Sequence, residues 1–500
     1  MDPFLLAGRP PVEVISKKEE SLPSEAPVGQ VPSAAQWAAQ QFGQVDLGDK
    51  RLNQRAVEMA VKMAAYPEAS LPNQMGSRTA LVGAYRLFNN ETVTVEALLA
   101  PHCQQTLAAA ALFPVVLMAE DTSELDYTAH PSTTGLGPIG DGKGRGLLLH
   151  STLAIVPEGR GVLGLAHAQI VLREPKAKGG LHWKRTPEAQ VWEVSAQAVG
   201  RPPEGSIWVH VSDRGSDIFE YMVACVDLGK HFLVRAFHNR VLSWEEGAPQ
   251  AEEEEARHLL DYARSLLPCS EPEASYTVRV PATKKQPARE ARVVMQWSEV
   301  TIAPPTQAPL EVRCHAPIKL SILRVWEPDP PQGAERVEWI LLSSLPITTV
   351  EEALRAVDWY TCRWLCEDYH QCLKTGCRVE HTQLDEGVDI CRLLGFAIPI
   401  AVRLLQLRQA ARQTPDPPAK VVVEPLMVEV LAQRQKKDAE SMTIGEFWRS
   451  VAQMGGHQGR RRDGPPGWRT VWKGWRYLSD LTEGARLYAK ATFPSNTCSV

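Results

Sequence analysis

The spacing of apolar and polar positions predicts a helical region near the start of the chain. Between residues 37 and 112, apolar side chains recur at helical intervals. The segment 51–65 places its alanine, valine and methionine side chains on one face and Arg51 and Arg55 on another. Asp46 or Asp49 is suited to cap the start of that helix.

Short apolar runs follow this region, and they predict β-strands. The expected strands lie at 113–122, 147–156, 162–172 and 207–217. A helix is expected at 187–200, between the third and fourth strands. Strands mixed with helices in this way predict an α/β core.

The next hundred residues predict a β insertion within that core. The segments 276–280, 291–297 and 310–314 alternate like antiparallel strands, and the acidic stretch 252–255 before them is predicted to be helical. Helical spacing resumes at Val350 and returns in an aromatic-rich block from Met442 onward. The helical pattern between these points is broken at Asp416-Pro-Pro.

Composition and charge restrict the kinds of protein that the chain can be. Residues 1–34 are rich in Pro, Glu and Ser, which predicts a disordered tail. No apolar stretch is long enough to span a bilayer, so no membrane partner is expected. The chain has ten cysteines and no evident export signal, which predicts reduced thiols and a cytoplasmic protein. The net charge of −5 argues only weakly against a nucleic-acid partner, because DNA binding needs local basic patches.

Two predicted strands end in an aspartate, Asp121 in one and Asp213 in the other. A carboxylate at the end of a buried strand is held rigidly, which suits a ligand for Mg²⁺. Aspartates are also common in turns that end strands. Either residue alone is therefore a weak indication of a metal site.

A third motif is more specific. Tyr360, Arg363, Glu367 and Lys374 stand at offsets of 0, 3, 7 and 14, which on an α-helix fall within an arc of roughly 60°. A solvated face with intrahelical ion pairs is the alternative. However, only one of the four residues is acidic, and Lys374 is too distant to pair with it. Such a face suits a metal ion and a phosphodiester.

The spacing Tyr-x2-Arg-x3-Glu-x6-Lys resembles the signature of the IS-four superfamily of bacterial DDE transposases, particularly its Tn-five type. Other blocks resemble the same superfamily in the same order, over about residues 37–480. They are the segments 47–55, 83–88, 120–123, 212–217, 339–344, 402–408, 454–456 and 472–475.

The resemblance implies a ribonuclease H-like catalytic core with a β-strand insertion, flanked by an α-helical N-terminal DNA-binding domain and an α-helical C-terminal dimerisation domain. The implied boundaries are 1–34 for the tail, 35–112 for the DNA-binding domain, 113–240 and 341–412 for the core, 241–340 for the insertion, 413–440 for a linker and 441–500 for the dimerisation domain.

The resemblance also implies an activity, which is cut-and-paste transposition of DNA through a hairpin intermediate. Asp121, Asp213 and Glu367 are implied to hold two Mg²⁺ ions, for which Mn²⁺ can substitute. The implied partners are double-stranded DNA, as transposon ends and target, and a second copy of the chain. The implied location is the nucleoid of a bacterial cytoplasm. A decayed transposase that only binds DNA and blocks transposition is the main alternative, and a ribonuclease H-like nuclease without strand transfer is another.

The resemblance further implies DNA-contacting residues. Tyr360, Arg363, Lys374 and Arg235 are implied to contact phosphates, and Trp339 to stack on a flipped base. Arg51 and Arg55 are implied to bind the terminal repeats.

Several other groups remain open to two interpretations. Cys362, Cys366, Cys372 and Cys377 lack the paired spacing of a zinc site, which favours buried packing. His150 is interpreted either as a buried core residue or as a residue near the active site, and the sequence supports the two interpretations about equally. Basic residues of the insertion and of the last region are solvated or contact DNA; these are Lys284, Lys285, Arg289 and Arg292, and the run 460–462.

Overall fold

The protein was analysed as a computed structural model, which describes residues 13–14, 34–174, 187–243, 257–280, 286–306, 308–413, 418–460 and 466–492. The predicted tail, apart from Glu13–Val14 and Ala34, lies outside these residues, as do the acidic stretch 252–255, the pair Lys284 and Lys285, and residues 461–462 of the predicted basic run.

Five helices open the described chain. They are α1 (Ala34–Phe42), α2 (Lys50–Ala65), α3 (Leu71–Met75), α4 (Arg78–Phe88) and α5 (Val95–Ala110). The prediction of an Asp cap for α2 is confirmed, because the Asp49 carboxylate accepts a hydrogen bond from the Arg51 amide at 2.7 Å. The helical N-terminal region is likewise confirmed.

The described strands form one mixed sheet. They are β1 (Glu13–Val14), β2 (Val115–Asp126), β3 (Gly137–Ile139), β4 (Gly144–Val156), β5 (Gly161–Val171), β6 (Ile207–Ser212), β7 (His231–Arg235), β8 (Ser275–Val280), β9 (Arg289–Ile302), β10 (Ile318–Trp326) and β11 (Glu338–Ser343). Their order is β1-β8-β9-β10-β11-β7-β6-β2-β4-β3, and β5 also pairs with β4.

Strand direction divides this sheet into two parts. In the first, β2, β4 and β5 form an antiparallel meander, after which β6 runs parallel to β2 and β7 runs parallel to β6. In the second, β11 pairs antiparallel with β7, and β10, β9 and β8 continue the antiparallel pattern. The segment predicted as a β insertion therefore extends the same sheet.

The remaining helices are α6 (Pro187–Val199), α7 (Phe219–Asp227), α8 (Leu259–Ser265), α9 (Leu310–Arg313), α10 (Val350–Thr361), α11 (Trp364–Gln371), α12 (Gly387–Gln413), α13 (Ala419–Val422), α14 (Pro425–Gln435), α15 (Ile444–Met454) and α16 (Trp468–Thr492). The predicted helix at 187–200 and the helix start at Val350 are confirmed. The α/β fold with helical terminal regions is confirmed as well.

Two predictions about local structure are wrong. The segment 310–314 is not a strand, because α9 occupies it after Pro309, and the strand of this region is β10. Tyr360 and Lys374 do not share one α-helix, because α10 ends at Thr361 and α11 ends at Gln371, where a π-helical turn, Cys372–Gly376, follows. Between α10 and α11 the amide of Arg363 bonds to the Tyr360 carbonyl at 3.2 Å, which is the tighter i→i−3 pattern of a 3₁₀ turn.

The two faces of the sheet are covered by different helices. Leu117, Ala119 and Leu125 of β2 join a core with residues of α10 to α12 and of the N-terminal helices. On the other face a second core gathers side chains of α6 and α7, among them Trp192 and Tyr221. Because successive side chains of a strand point to opposite faces, neighbouring residues of β2 enter different environments.

The C-terminal helices form a core of their own around Trp448 and Trp475, whose rings stack with centroids 5.1 Å apart. Side chains of α13 and α14 belong to the same core, although 413–440 is predicted as a linker. Leu407 of α12 joins this core too. Near the same point of α12, Gln406 donates hydrogen bonds to the carbonyls of Val162 and Leu163 in β5, each at 3.1 Å. No helix of the described residues is long and apolar enough to cross a bilayer.

Candidate active site

Asp121 lies in the middle of β2, on the face covered by α11. The residue is 9% exposed, and its Oδ2 lies 3.8 Å from Nη1 of Arg363 and 3.7 Å from Nδ1 of His370. Burial by itself raises the pKa of this carboxyl, but His370 and Arg363 outweigh burial and lower it overall. Asp121 is therefore held ionised by two neighbours from one helical segment.

Asp213 follows β6, which is the parallel neighbour of β2. Its side chain accepts a hydrogen bond from the Gly215 amide at 2.8 Å and starts the 3₁₀ turn Arg214–Ser216. Burial and the nearby charge of Asp121 raise the pKa of Asp213, while Arg363 and Arg235 oppose the rise. The two aspartates are thus brought close enough to repel each other.

Glu367 reaches the same region from α11. Its Oε1 lies 3.3 Å from Nη1 of Arg363, so the intrahelical ion pair weighed as an alternative does form. The same guanidinium also faces Asp121. Burial and the charge of Asp121 raise the pKa of Glu367 to about 7. One buried arginine therefore bridges two of the three predicted carboxylates.

The donor set fits a hard divalent cation in its chemistry. Asp121, Asp213 and Glu367 offer only carboxylate oxygens, and burial together with the charge of Asp121 raises the pKa of Asp213 and of Glu367. Within the described ranges, however, no three His, Cys, Asp or Glu side chains are gathered closely enough to form a ready metal site. The guanidinium of Arg363 occupies the space between Asp121 and Glu367 instead.

Three further predicted residues surround these carboxylates. Tyr360 is buried, and its ring meets the ring of Trp339 edge to face at a centroid distance of 5.6 Å. Trp339, on β11, is only 6% exposed. Arg235, at the end of β7, donates a hydrogen bond to the Glu338 carbonyl at 3.2 Å, and its charge acts on both Asp213 and Tyr360.

Lys374 is turned toward another group. Its Nζ lies 3.8 Å from Oε1 of Glu380. The π-helical turn that contains Lys374 changes the helical register after Gln371, so the offset counted along an ideal α-helix no longer applies. The structure therefore gathers Tyr360, Arg363 and Glu367 at the aspartates, but it pairs Lys374 elsewhere.

The two arginines of α2 differ in their surroundings. The side chain of Arg51 is 90% exposed. Arg55 is half-buried, and its Nη1 donates a hydrogen bond to the Gly83 carbonyl in α4 at 3.3 Å. Arg51 is thus available to an external anion, whereas Arg55 holds two helices together.

A buried polar network behind Asp121 was not predicted from the sequence. Glu120 points to the opposite face of the sheet, where its carboxylate receives hydrogen bonds from Tyr221 and from Thr152, the latter at 3.2 Å. His210 Nδ1 lies 3.2 Å from the same carboxylate. His150 is fully buried there and bonds to Thr122 at 2.8 Å, which favours the core interpretation of this histidine.

The other ambiguous groups have structural partners. Cys362, Cys366 and Cys372 are fully buried and Cys377 is half-buried in the main core, which supports the packing interpretation. Arg289 forms a two-pronged ion pair with the buried Glu327. Arg292 remains exposed and bonds to Ser275 at 2.8 Å.

Comparison with known families provides matches at both ends of the chain. The family model described as Transposase DNA-binding matches residues 34–93, which include α1 to α4. The model described as Transposase Tn5 dimerisation domain matches residues 399–496, from within α12 through α16. These matches support DNA binding and assembly as a homodimer, and together they support a Tn5-like transposase.

Proposed function

We propose that the protein is a cut-and-paste transposase of the DDE type, whose active site contains Asp121, Asp213 and Glu367. The observation that carries the proposal is the convergence of Asp121 and Glu367 on the guanidinium of Arg363, beside the turn of Asp213. This site lies between two regions that match transposase families. The strand order of the first part of the sheet, an antiparallel meander followed by two parallel strands, supports a ribonuclease H-like core.

We further propose that the three carboxylates hold Mg²⁺, for which Mn²⁺ can substitute. When bound, such ions activate a water or a 3′-hydroxyl and stabilise the leaving oxygen of a phosphodiester. Asp121 supplies a carboxylate that is already ionised, because His370 and Arg363 keep its pKa low. Glu367 must lose a proton near neutral pH before it can serve as a ligand.

The cationic and aromatic side chains near the carboxylates contact the DNA in this proposal. In this proposal Arg363 exchanges its bonds with the carboxylates for a backbone phosphate, because a guanidinium binds phosphate with the same paired geometry. Arg235 contacts a second phosphate beside Asp213. Tyr360 and Trp339 flank the path of the cleaved strand. The ring of Tyr360 lies against Trp339, so it must shift before a base can stack on Trp339 during hairpin formation.

The test is cleavage of linear DNA that carries the inverted repeats flanking the coding region, with Mg²⁺ as the only divalent cation. Wild-type protein should cut and join these ends. Asp121→Asn and Glu367→Gln should each reduce cutting by at least about 100-fold while DNA binding persists. Asp358→Asn is the matched control, since Asp358 is a half-exposed carboxylate of α10 that pairs with Arg160.

Other outcomes favour other functions. Binding without cutting in either metal would identify a decayed transposase that blocks its DNA ends. Cutting without joining would identify a nuclease. Cutting that survives unchanged in Asp121→Asn would overturn the proposed site.

A further inference from the structure

Phe237 is a large apolar side chain exposed beside the candidate active site. It follows β7, two residues after Arg235, and 59% of it is accessible to solvent. Its ring meets the ring of His238 edge to face, at a centroid distance of 5.1 Å and an interplanar angle of 82°. His238 thus contacts part of the ring, and more than half of the side chain stays open.

The backbone that carries this ring is fixed. Asp217 is 1% exposed, and its Oδ2 accepts hydrogen bonds from the amides of Phe237 and His238, each at 2.7 Å. Its Oδ1 binds the guanidinium of Arg240 at 2.7 and 3.0 Å. A buried carboxylate with this many partners holds a loop in a single conformation. Phe237 is therefore presented by a clamped loop.

The clamp also fixes Phe237 relative to the catalytic carboxylates. Asp217 ends the 3₁₀ turn that Asp213 begins, so one turn carries both the proposed metal ligand and the anchor of the loop. On the other side, Arg235 ends β7 and follows Val234, which pairs in parallel register with Ser212, the residue before Asp213. An exposed aromatic ring, a cation and the proposed catalytic aspartate thus lie at the carboxyl ends of the neighbouring strands β6 and β7.

The aromatic residue expected to stack on a base is covered. Trp339 is 6% exposed and lies against Tyr360. Phe237 is accessible without any rearrangement. Aromatic rings next to cations that bind the backbone are the usual platform for unpaired bases.

We propose that Phe237 is a stacking platform for an unpaired base of the DNA in the active site, next to a phosphate held by Arg235. The inference rests on the proposed function, because it requires DNA at Asp213. It adds a base-binding residue that neither the sequence motifs nor the family matches assign. The base belongs either to a frayed DNA end or to a distorted internal site, since both present the same flat apolar face.

Photocrosslinking can test this proposal without cleavage. Two probes of 30 base pairs carry 5-iodouracil, one in a two-nucleotide unpaired end and the other in a single-nucleotide internal bulge. Each is bound in EDTA and irradiated, and the crosslinked residue is identified by mass spectrometry. We expect a crosslink at Phe237 on at least one probe, and the probe that gives it identifies the source of the base.

Variants separate stacking from folding. Phe237→Ala should remove the crosslink and weaken binding of the reactive probe by about 5- to 150-fold, the range for loss of one stacked base. Phe237→Tyr should retain both. The control Leu112→Ala removes another exposed apolar side chain, 82% accessible, and should change neither. The clamp uses backbone amides of the loop, so Phe237→Ala should keep the wild-type melting temperature.

The outcomes distinguish this inference from the proposed function. Crosslinking at Trp339 or elsewhere but not at Phe237, or equal probe affinity of Phe237→Ala and wild type, overturns the inference even if the protein cleaves DNA. A crosslink at Phe237 in a protein that never cleaves supports the platform and overturns the catalytic proposal instead.

Discussion

Nη1 of Arg363 lies 3.3 Å from Oε1 of Glu367, four residues later on the same helical segment. The same nitrogen faces Asp121 across the interface with β2, and the side chain is almost fully buried. A buried cation between two carboxylates is an internal substitute for a divalent ion. It follows that the apo protein depends on Arg363 for stability.

Replacing Arg363 should therefore destabilise the metal-free protein. Arg363→Gln leaves Asp121 and Glu367 without a cation, and breaking a buried pair in this way costs about 3–5 kcal/mol. Urea unfolding in EDTA measures the loss. Arg355→Gln removes an exposed partner of Glu352 and should change little. Equal stability of Arg363→Gln and wild type in EDTA would contradict the bridging role.

The pH dependence of stability should reveal Glu367. Its pKa rises from 4.5 to about 7 on folding, so between these values the folded state holds more protons than the unfolded state. The free energy of unfolding of the metal-free protein should fall as pH rises through this window. Glu367→Gln should flatten that part of the curve in urea titrations at fixed pH. A slope that persists in the variant would assign it to another group.

Mg²⁺ affinity should change in the opposite direction over the same window. A carboxylate must be ionised to bind the metal, so binding should tighten as pH rises from about 5 to about 7 and should release protons. Calorimetry in two buffers of different ionisation enthalpy measures that release. Metal binding without proton release at pH 6 would show that Glu367 is not a ligand.

Asp217 should contribute strongly to the stability of the folded protein. Asp217→Asn removes the negative partner of Arg240 and one or more loop bonds, with an expected cost of about 3–5 kcal/mol. Arg240→Met removes the cation. Because the two residues share the same bonds, the double variant should lose clearly less than the sum of the single losses in urea unfolding. Strict additivity would contradict the clamp.

Two glycines of α16 should respond to alanine in opposite ways. A Cβ on Gly474 would lie 1.7 Å from the carbonyl oxygen of Val451, so Gly474→Ala should force α15 and α16 apart and lower the melting temperature. A Cβ on Gly484 meets nothing within 4 Å, and Gly484→Ala should raise helix stability by about 0.5–1 kcal/mol. If these helices support dimerisation, size-exclusion chromatography should show loss of the dimer only for Gly474→Ala.

The two arginines of α2 should separate DNA contact from folding. Arg51→Ala should weaken binding to duplex DNA and reduce the slope of log affinity against log salt by about 1, the value for one lost phosphate contact. Arg55→Ala should mainly lower the melting temperature, because it removes the bond to Gly83. Fluorescence anisotropy over a salt series and thermal unfolding measure the two effects. A salt slope unchanged in Arg51→Ala would remove this residue from the DNA interface.

The spacing of apolar residues and the residues that mark helix and strand ends predicted those parts of the fold that depend on local sequence. The cap at Asp49, the strand that contains Asp121, the strand that ends just before Asp213 and the helix start at Val350 are of this kind. The segment 310–314 is too short for its alternation to decide between strand and helix. The break after Thr361 and the π turn that redirects Lys374 likewise leave no clear mark in the spacing of apolar residues.

The signature selected the residues proposed for the site, but the sequence could not predict how they are arranged. The signature named Glu367 and Arg363, but only the packing of α11 on β2 shows that Arg363 bridges Asp121 and Glu367. Trp339 is buried against Tyr360, which reaches it from the helix that follows β11. Phe237 had no signal beyond an aromatic residue soon after Arg235, and its importance follows from the clamp at Asp217.

The helix α12 has a mechanical consequence. Its side chains belong both to the main core and to the core of the C-terminal helices, and Gln406 ties it to β5. The match to the dimerisation domain begins inside this helix, at residue 399. α12 therefore joins the two cores within one helix, which contains Pro399 in its interior. A displacement of the C-terminal helices would be carried along α12 to β5, and from there through β4 to β2, the strand that contains Asp121.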